Sequence, residues 1–172
     1  MSAVPNAVAA PGFADAMSTL ASGVVLVTCR VAERPWGMTV TAFASVSASP
    51  PTVLVSLCSR TAGARAIEST GSFGISILAA GQEDVAEHGS ASGTAKFLDA
   101  LVEPRDRASS APAIAGALAH LDCTVVGVVE AVDHTVFFGH VHAVRRRREG
   151  EPLVYHGREY RSLSRSLRWI SS

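Results

Sequence analysis

Short apolar runs rich in β-branched residues recur along this chain, and turn residues separate most of them. Runs of this kind predict strands, because branched side chains pack well on a pleated surface. The predicted strands span residues 23–30, 37–47, 52–58, 72–78, 117–132, 135–146, 153–156 and 160–163. Helical spacing of apolar residues predicts short helices at 13–20, 61–69, 82–88 and 96–101, and it also relates Leu163, Leu167 and Ile170 near the C-terminus.

The order of these elements favours one class of fold. Strands follow one another through turns, such as the one predicted at Glu33 to Pro35, and not through regular helical crossovers. This order favours an antiparallel barrel over a doubly wound sheet. We therefore predict a mainly β protein with a few short helices. The predicted organisation is a disordered tail over residues 1–11 and a single domain over residues 12–172.

The segment Gly37 to Ser47, GMTVTAFASVS, has an unusual pattern. Small hydroxyl side chains alternate with apolar ones, and charge is absent. A solvated strand face normally carries charged residues, and a core face normally has few Thr and Ser residues. A strand with one apolar face and one hydroxyl face suits a flat, partly polar ligand.

Composition limits the remaining possibilities. A chain of 172 residues is long enough for one domain with a sizeable core. The 48% of hydrophobic and 17% of charged residues are typical of a globular protein, and a formal net charge of zero does not indicate a nucleic-acid partner. No apolar run approaches the roughly 20 residues of a membrane helix. The N-terminal MSAVPNAVAAPG does not resemble a signal peptide.

The three cysteines indicate a reducing environment. Cys29, Cys58 and Cys123 are widely spaced, each lies inside an apolar run, and no CxxC pair occurs. Buried free thiols are the simplest interpretation. We therefore expect a cytoplasmic protein.

Phosphate-binding motifs of the common kinds are absent from the sequence. It contains neither GxGxxG nor GxxxxGK[ST], and it has no GxSxG nucleophile elbow. Ser59-Arg60-Thr61 offers another phosphate site, because it leaves a predicted strand and enters a predicted helix whose first N–H groups attract anions. The alternative is that Thr61 only caps that helix.

Other candidate residues are distributed along the chain. Lys96-Phe97 follows the small-residue loop 89–95 and could cover a ligand with a ring and a cation. His134 stands beside Asp133, which could fix its tautomer. His140 and His142 share one strand face, but we predict no metal site, because a third ligand is not evident and the arginines at 145–148 would repel a cation.

Arginines 145–148 have two interpretations: they form a solvated strand end, or they attract a phosphorylated nicotinamide cofactor. The tryptophans, Trp36 and Trp169, are interpreted as packing residues.

An ordered set of motifs resembles the flavin reductase-like family, the short-chain reductases that serve two-component flavin monooxygenases. The continuous run is GMTVTAFASVSASPPTVLVSLCSRT. In the family's order the chain has GVVLVT at 23–28, GMTVTAF at 37–43, SASPPTVLVSL at 47–57, FGISIL at 73–78, Lys96-Phe97, VDHT at 132–135 and LVYHGREY at 153–160. Each motif alone is weak, but the ordered set is specific and covers about residues 13–163.

The resemblance implies an antiparallel split β-barrel, the FMN-binding split barrel, that forms a homodimer. It implies hydride transfer from NADH or NADPH to FMN or FAD, with the reduced flavin passed to a separate monooxygenase. It implies His134 as the residue that positions the nicotinamide or supplies a proton. The implied flavin-binding residues are Met38, Thr39, Val40, Thr41, Ala42, Ser45, Val46, Ser47, Cys58, Ser59, Arg60, Thr61, Lys96 and Phe97.

Three departures from the family's pattern are evident. Ser76 replaces an Asn expected to contact the flavin, Val132 replaces the Gly before Asp-His, and a Trp after Lys96-Phe97 is missing. Three alternatives remain beside the reductase. They are a flavin-binding or electron-carrier protein without reductase activity, a metal site on the two histidines at 140 and 142, and an enzyme similar to pyridoxamine phosphate oxidase on a related barrel.

Overall fold

A computed structural model describes residues 10–104 and 110–163, so most of the predicted tail, Leu167 and Ile170 lie outside the described residues. The elements run in the order α1 (Ala10–Ser18), β1 (Ser22–Gly23), β2 (Val25–Val31), β3 (Arg34–Val40), β4 (Phe43–Ala48), β5 (Pro51–Cys58), α2 (Ala62–Thr70), β6 (Ser72–Ile77), α3 (Glu83–Ser90), β7 (Ala119–Ala131), β8 (His134–Arg146), β9 (Val154–His156) and β10 (Glu159–Arg161). The predicted mainly β chain with short helices is confirmed. No helix in these ranges is long and apolar enough to cross a membrane.

Seven strands form an antiparallel sheet in the order β3-β2-β6-β7-β8-β5-β4, and β1, β9 and β10 form a smaller sheet. The edge strands β3 and β4 are consecutive in the chain, with Thr41 and Ala42 between them. Two residues can join opposite edges of a sheet if the sheet curls until the edges approach each other. The Ser56 amide donates to the Ala42 carbonyl at 3.0 Å, which ties this connection to β5.

The prediction of one strand over 37–47 is wrong. The chain turns at Thr41, whose carbonyl accepts a hydrogen bond from the amide of Phe43 at 2.9 Å. The segment before the turn pairs with β2, and the segment after it pairs with β5. A register shift between Ser45 and Ser47 interrupts the second pairing further. The hydroxyl-rich segment therefore presents two separate surfaces.

The predicted helix over 96–101 is also wrong. Residues around Phe97 instead pair with the outer edge of β3, where the Gly37 amide donates to the Lys96 carbonyl at 3.1 Å and the Leu98 amide donates to the Pro35 carbonyl at 3.0 Å. An edge strand has unpaired backbone groups that such a segment can satisfy. The turn between β2 and β3 lies at Ala32 and Glu33, so it begins one residue earlier than predicted, and Pro35 belongs to β3.

The core inside the curled sheet is built from large apolar side chains, among which Phe73, Ile75 and Phe137 are almost fully buried. Cys29 and Cys123 lie in this core as free thiols, and burial raises the pKa of each thiol to about 12. Cys58 is also a free thiol but is only half-buried. The prediction of buried free thiols is therefore confirmed for two of the three cysteines.

A buried polar cluster connects β6 and β7 to residues 110–114. Ser76 is fully buried, lies 2.9 Å from His120 Nδ1, and accepts a hydrogen bond from the Ile114 amide at 3.1 Å. Asp122 Oδ1 accepts from the amide and hydroxyl of Ser110 and from the amide of Ala111. The expectation that the change at Ser76 alters a flavin contact does not fit this position, because its hydroxyl is used inside the protein.

The turn between β7 and β8 gives a testable stability prediction. Val132 has a φ of 58° and a fully exposed side chain, although β-branched residues are strained in the left-handed region. Replacing Val132 by glycine is expected to raise the free energy of unfolding by about 1 kcal/mol, as measured by urea denaturation. Val129→Gly, at an exposed valine inside β7, is the control and is expected to destabilise. An equal loss in both variants would contradict the prediction.

Candidate functional site

Two adjoining clefts lie beside β3. We call the smaller one, with a volume of about 210 Å³, the inner cleft. Its walls are Met38, Thr39, Val40, Ser56, Leu57, Cys58, Thr61, Lys96 and His134. The pairing of β5 with β8 places Cys58 opposite His134, which is why residues far apart in the sequence meet here.

We call the larger one, with a volume of about 350 Å³, the outer cleft. Its walls are Trp36, Met38, Thr61, Ala62, Ala91, Ser92, Gly93, Thr94 and Lys96. Three of these residues, Met38, Thr61 and Lys96, also line the inner cleft, so the two clefts adjoin.

Lys96 is the charged group shared by both clefts, and it is the only lysine of the chain. Its carbonyl is fixed by the bond from Gly37, so the start of its side chain has a defined place. Partial burial lowers the pKa of its ammonium group. No carboxylate lines either cleft, and the described residues provide no hydrogen-bond or ion-pair partner for this ammonium. A cation in this situation attracts an anionic ligand.

The turn before α2 uses most of its polar groups internally. The Thr61 hydroxyl donates to the Cys58 carbonyl at 2.9 Å and accepts from the Ala64 amide at 3.2 Å, so Thr61 caps α2 as predicted. The Ser59 hydroxyl lies 2.9 Å from that of Thr135, and the Ser59 amide donates to the carbonyl of Asp133. Within the described residues, the groups of this turn left for an anion are the exposed Arg60 side chain and the first amides of α2.

His134 is held by its neighbour in the sequence. Its Nδ1 lies 2.8 Å from Asp133 Oδ1, and because an ionised carboxylate can only accept, Nδ1 carries the proton in the neutral ring. This bond lowers the pKa of the Asp133 carboxyl group. The other ring nitrogen, Nε2, is then an acceptor on a half-exposed side chain that lines the inner cleft.

Thr39 is fixed by α3. Its hydroxyl donates to the Ala86 carbonyl at 2.7 Å, and Gly89 packs directly against it. A Cβ atom at Gly89 would come within 2.3 Å of Thr39 Oγ1 and within 3.0 Å of the Thr39 amide nitrogen. This part of the inner wall therefore depends on α3 as well as on β3.

The structure brings together seven of the predicted site residues in the inner cleft, which are Met38, Thr39, Val40, Cys58, Thr61, Lys96 and His134. Ser59 and Arg60 are adjacent in the turn between Cys58 and Thr61. Phe97 lines neither cleft: its ring centroid is 5.0 Å from that of Trp36, and the Arg34 guanidinium lies 3.7 Å above it.

The remaining predicted residues lie elsewhere. Thr41 and Ala42 line a separate cleft of about 440 Å³ between α1 and the β9–β10 hairpin. Ser45 and Val46 are exposed on β4, and the Ser47 hydroxyl accepts from the Ser49 amide at 3.2 Å. Thr41 also lines a cleft of about 200 Å³ together with Thr39 and Val40, which are walls of the inner cleft. Ala42, Ser45, Val46 and Ser47 line neither of the two clefts beside β3.

Sequence reasoning missed several cleft residues. Trp36 was interpreted as a packing residue, although alternation along β3 places it on the same face as Met38, which would have indicated its position. Alternation along β5 likewise places Ser56 on the same face as Cys58. The small residues 91–94 give no signal beyond their loop character, and only the fold brings them to the outer cleft.

Two further groups of residues do not join the clefts. His142 Nδ1 lies 3.3 Å from the Thr124 hydroxyl on an exposed strand face, and the described residues contain no group of three residues that could hold a metal ion. Arginines 145–148 begin at the opposite end of β8 from His134, up to about 35 Å away along the strand. They are therefore poorly placed to attract a phosphorylated cofactor to this site.

The curled antiparallel sheet and its clefts define a β protein with a site suited to a partly apolar, anionic ligand. Residues 17–164 match the family model described as a flavin reductase like domain, and the chain therefore belongs to the flavin reductase-like family. The predicted membership is confirmed.

Characterised relatives agree with this family. The chain is 42% identical to an NADH-dependent flavin reductase of a Rhodococcus species, over 86% of this chain and 83% of that protein. It is 39% identical to the reductase component of 4-hydroxyphenylacetate 3-monooxygenase of Thermus thermophilus, over 88% of this chain and 95% of that protein.

Solved structures share the fold. The NADH:FAD oxidoreductase of Streptomyces globisporus, solved in complex with NAD and FAD fragments, has a TM-score of 0.81 and 33% identity, covering 88% of this chain and 91% of that one. The flavin reductase component of a bacterial two-component tryptophan halogenase has a TM-score of 0.82 and 32% identity, covering 90% and 98%. The predicted split-barrel fold is confirmed.

Proposed function

We propose that this chain is a flavin reductase that transfers a hydride from NADH to FMN or FAD and supplies the reduced flavin to a separate monooxygenase. The observation that carries the proposal is the inner cleft, where Met38 to Val40, Lys96 and His134 converge without any carboxylate on the walls. Family membership and the named activities of the relatives support the same reaction.

The residues present fit a flavin. Met38, Val40 and Leu57 offer apolar surface for a planar ring, and Lys96 offers a cation that has no partner among the described residues. Arg60 and the first amides of α2 lie beside this cleft and suit a phosphate group. When bound, the flavin supplies the redox chemistry.

The protein's own contribution is binding and alignment. Lys96 stabilises negative charge next to both clefts, while the apolar wall excludes water from one face of the ligand. His134 presents Nε2 to the inner cleft with its ring orientation fixed by Asp133, and it can accept a hydrogen bond that positions the nicotinamide carboxamide. No nucleophile or metal is required for this role.

The hydride donor, the assembly and the cellular location extend the proposal. NADH is favoured over NADPH because relatives are named for NADH and because no basic cluster adjoins the clefts apart from Arg60 and Lys96 in the described residues.

Exposed valines on β7 and β8, including Val126, Val129 and Val144, suit burial in a homodimer. Free cysteines at all three positions fit a cytoplasmic protein.

Anaerobic stopped-flow mixing tests the proposal. The protein loaded with FMN or FAD is mixed with NADH or with NADPH, and loss of the visible flavin absorbance is followed. Fast bleaching with NADH, well above the rate for free flavin, is the expected result. A flavin that binds but is not bleached faster than in free solution would favour the alternative of a flavin-binding or electron-carrier protein.

Replacing His134 by alanine is expected to lower kcat/KM for NADH by about 10- to 100-fold, because a positioned hydrogen bond is lost. Flavin affinity, measured by fluorescence quenching, is expected to change less than threefold. Asp133→Asn keeps a hydrogen-bond partner for the ring and is expected to lose less activity. An unchanged kcat/KM in His134→Ala would remove His134 from the proposed site.

A further inference from the structure

His88 joins the two ends of the loop that forms one wall of the outer cleft. It lies in the last turn of α3, and the loop 91–95 leads from that helix to Lys96. The Nε2 atom of His88 lies 2.9 Å from the carbonyl oxygen of Phe97. Because a carbonyl oxygen can only accept, Nε2 carries the proton and donates this hydrogen bond. The imidazole ring therefore connects the helix before the loop to the extended segment after it.

The Phe97 carbonyl needs such a donor because β3 does not supply one. Phe97 faces Trp36 in an isolated antiparallel bridge. The hydrogen bonds of this bridge on the Phe97 side are made by its neighbours, through the Lys96 carbonyl and the Leu98 amide. In such a pair the backbone groups of the two facing residues point away from the partner strand. Among the described residues, His88 is the donor that satisfies this outward carbonyl.

The end of α3 does not depend on this bond. The Ala91 amide and the Ser90 hydroxyl each donate to the Glu87 carbonyl at 3.0 Å, which terminates the helix. The helix is also fixed to β3 through the Thr39 hydroxyl. What the His88 bond adds is a fixed position of the segment after the loop relative to α3.

The loop itself has few other restraints. Ser92 and Thr94 are exposed, and within residues 10–104 and 110–163 their hydroxyls have no hydrogen-bond partner. Gly93 has a φ of 73°, and nothing lies within 4 Å of the position of a Cβ atom there. A hydrogen bond across the base of a flexible loop removes conformational freedom from it. The place of the loop, and of Lys96 at its end, therefore depends on what holds the base.

We propose that His88 is a positioning residue for the reductase reaction, which holds Lys96 and the loop 91–95 at the rim of the two clefts through the Phe97 carbonyl. His88 itself lines neither cleft, whereas Lys96 lines both. A cation that is already held in place loses less freedom when an anionic ligand binds, so the affinity is higher. This inference rests on the proposed function, because it assumes that a flavin binds beside Lys96.

Two amide substitutions with different reach test the hydrogen bond. His88→Gln places an N–H donor at about the distance of Nε2 from the backbone, whereas the amide of His88→Asn is one bond shorter. His88→Asn is expected to raise the Kd for FMN by about 3- to 10-fold, measured on the full chain by quenching of flavin fluorescence, and His88→Gln is expected to restore it to within about twofold. His142→Asn, on an exposed strand face, is the matched control and is expected to leave the Kd unchanged. Equal Kd values in the two His88 variants would overturn the proposal.

A double substitution tests whether the effect passes through Lys96. In a Lys96→Gln background, His88→Asn is expected to change the Kd for FMN less than about twofold, because the charge that His88 positions is gone. The same factor in both backgrounds would show a general loosening of the protein and would overturn the proposal. The kcat for NADH oxidation at saturating FMN is expected to stay within about twofold in His88→Asn, since the bond acts on binding and not on hydride transfer. A lower kcat with an unchanged Kd would also contradict it.

Hydrogen exchange of the protein without ligand gives an independent measurement. His88→Asn is expected to speed exchange of the amides in residues 91–98, while the amides of β7 and β8 exchange as in the wild type. His88→Gln is expected to match the wild type in both regions. Unchanged exchange over 91–98 in His88→Asn would show that the ring does not hold the loop, and faster exchange throughout the chain would show a loss of overall stability; either result overturns the proposal.

Failure of this inference can be distinguished from failure of the proposed function. If the wild type binds FMN and reduces it with NADH, but His88→Asn binds FMN equally well, only the role of His88 is wrong. If the wild type itself does not bind FMN, or NADH does not reduce it, the reductase proposal fails and the role of His88 fails with it.

Discussion

Replacement of Asp122 by alanine is expected to lower the free energy of unfolding by about 3–5 kcal/mol. The carboxylate is only 2% exposed, and one of its oxygens accepts three hydrogen bonds from Ser110 and Ala111 at 3.0–3.2 Å. Alanine would leave the amides of Ser110 and Ala111 and the Ser110 hydroxyl without this acceptor. The segment 110–114, which also contacts Ser76 and Thr28, would lose its anchor on β7.

Urea denaturation of the variant at neutral pH measures this loss. Asp122→Asn retains one acceptor oxygen and is expected to lose less stability. The control is Asp99→Ala, which breaks an exposed ion pair with Arg34 and is expected to change stability little. A loss in Asp122→Ala no larger than in this control would show that the buried cluster does not hold the segment.

Acidification from pH 6.5 to pH 4 is expected to remove about 3 kcal/mol of stability through His120 alone. Burial is the main cause that lowers the pKa of this imidazole from 6.5 to about 4; Asp122 opposes the shift, and nearby Arg145 contributes to it. In the unfolded chain the ring takes up a proton near pH 6.5, but in the folded protein it does so only near pH 4. Between these values the unfolded state binds more protons, so stability falls as the pH falls.

Urea denaturation at several pH values, compared with His120→Gln, isolates this contribution. The variant lacks the titrating ring of His120, whereas all other histidines and all carboxylates are the same in both proteins. It is expected to be less stable than the wild type at pH 7, since the contact with Ser76 changes, but to lose less stability on acidification. Parallel stability curves for the two proteins between pH 4 and 6.5 would contradict the expectation.

Much of the fold follows from local sequence signals. β-Branched runs correctly indicate most strands, because the branched side chain favours an extended conformation of its own residue. Thr61 caps α2 as predicted, since a cap bonds an amide only three residues away. The Asp133–His134 bond is similarly local, and it was also anticipated.

Other features depend on contacts between distant parts of the chain. The sequence presents Gly37 to Ser47 as one strand, but the curled sheet divides it between its two edges. Lys96-Phe97 has helical spacing, yet the unpaired edge of β3 binds that segment as an extended chain. Ser76 is recognisable as a departure from the family, and only the position of His120 on the neighbouring strand explains its hydrogen bonds.

The sequence by itself thus determined the fold class, the family and the residue types available for binding. Only the tertiary structure decided which of those residues share a cleft, because strand pairing brings Cys58, His134 and Lys96 together across long sequence separations. The outer cleft is the clearest example, since it is made by a loop of small residues that carries no pattern of its own. Periodicity reports the neighbours of a residue along the chain, whereas a cleft is a property of surfaces that meet only after the sheet has curled.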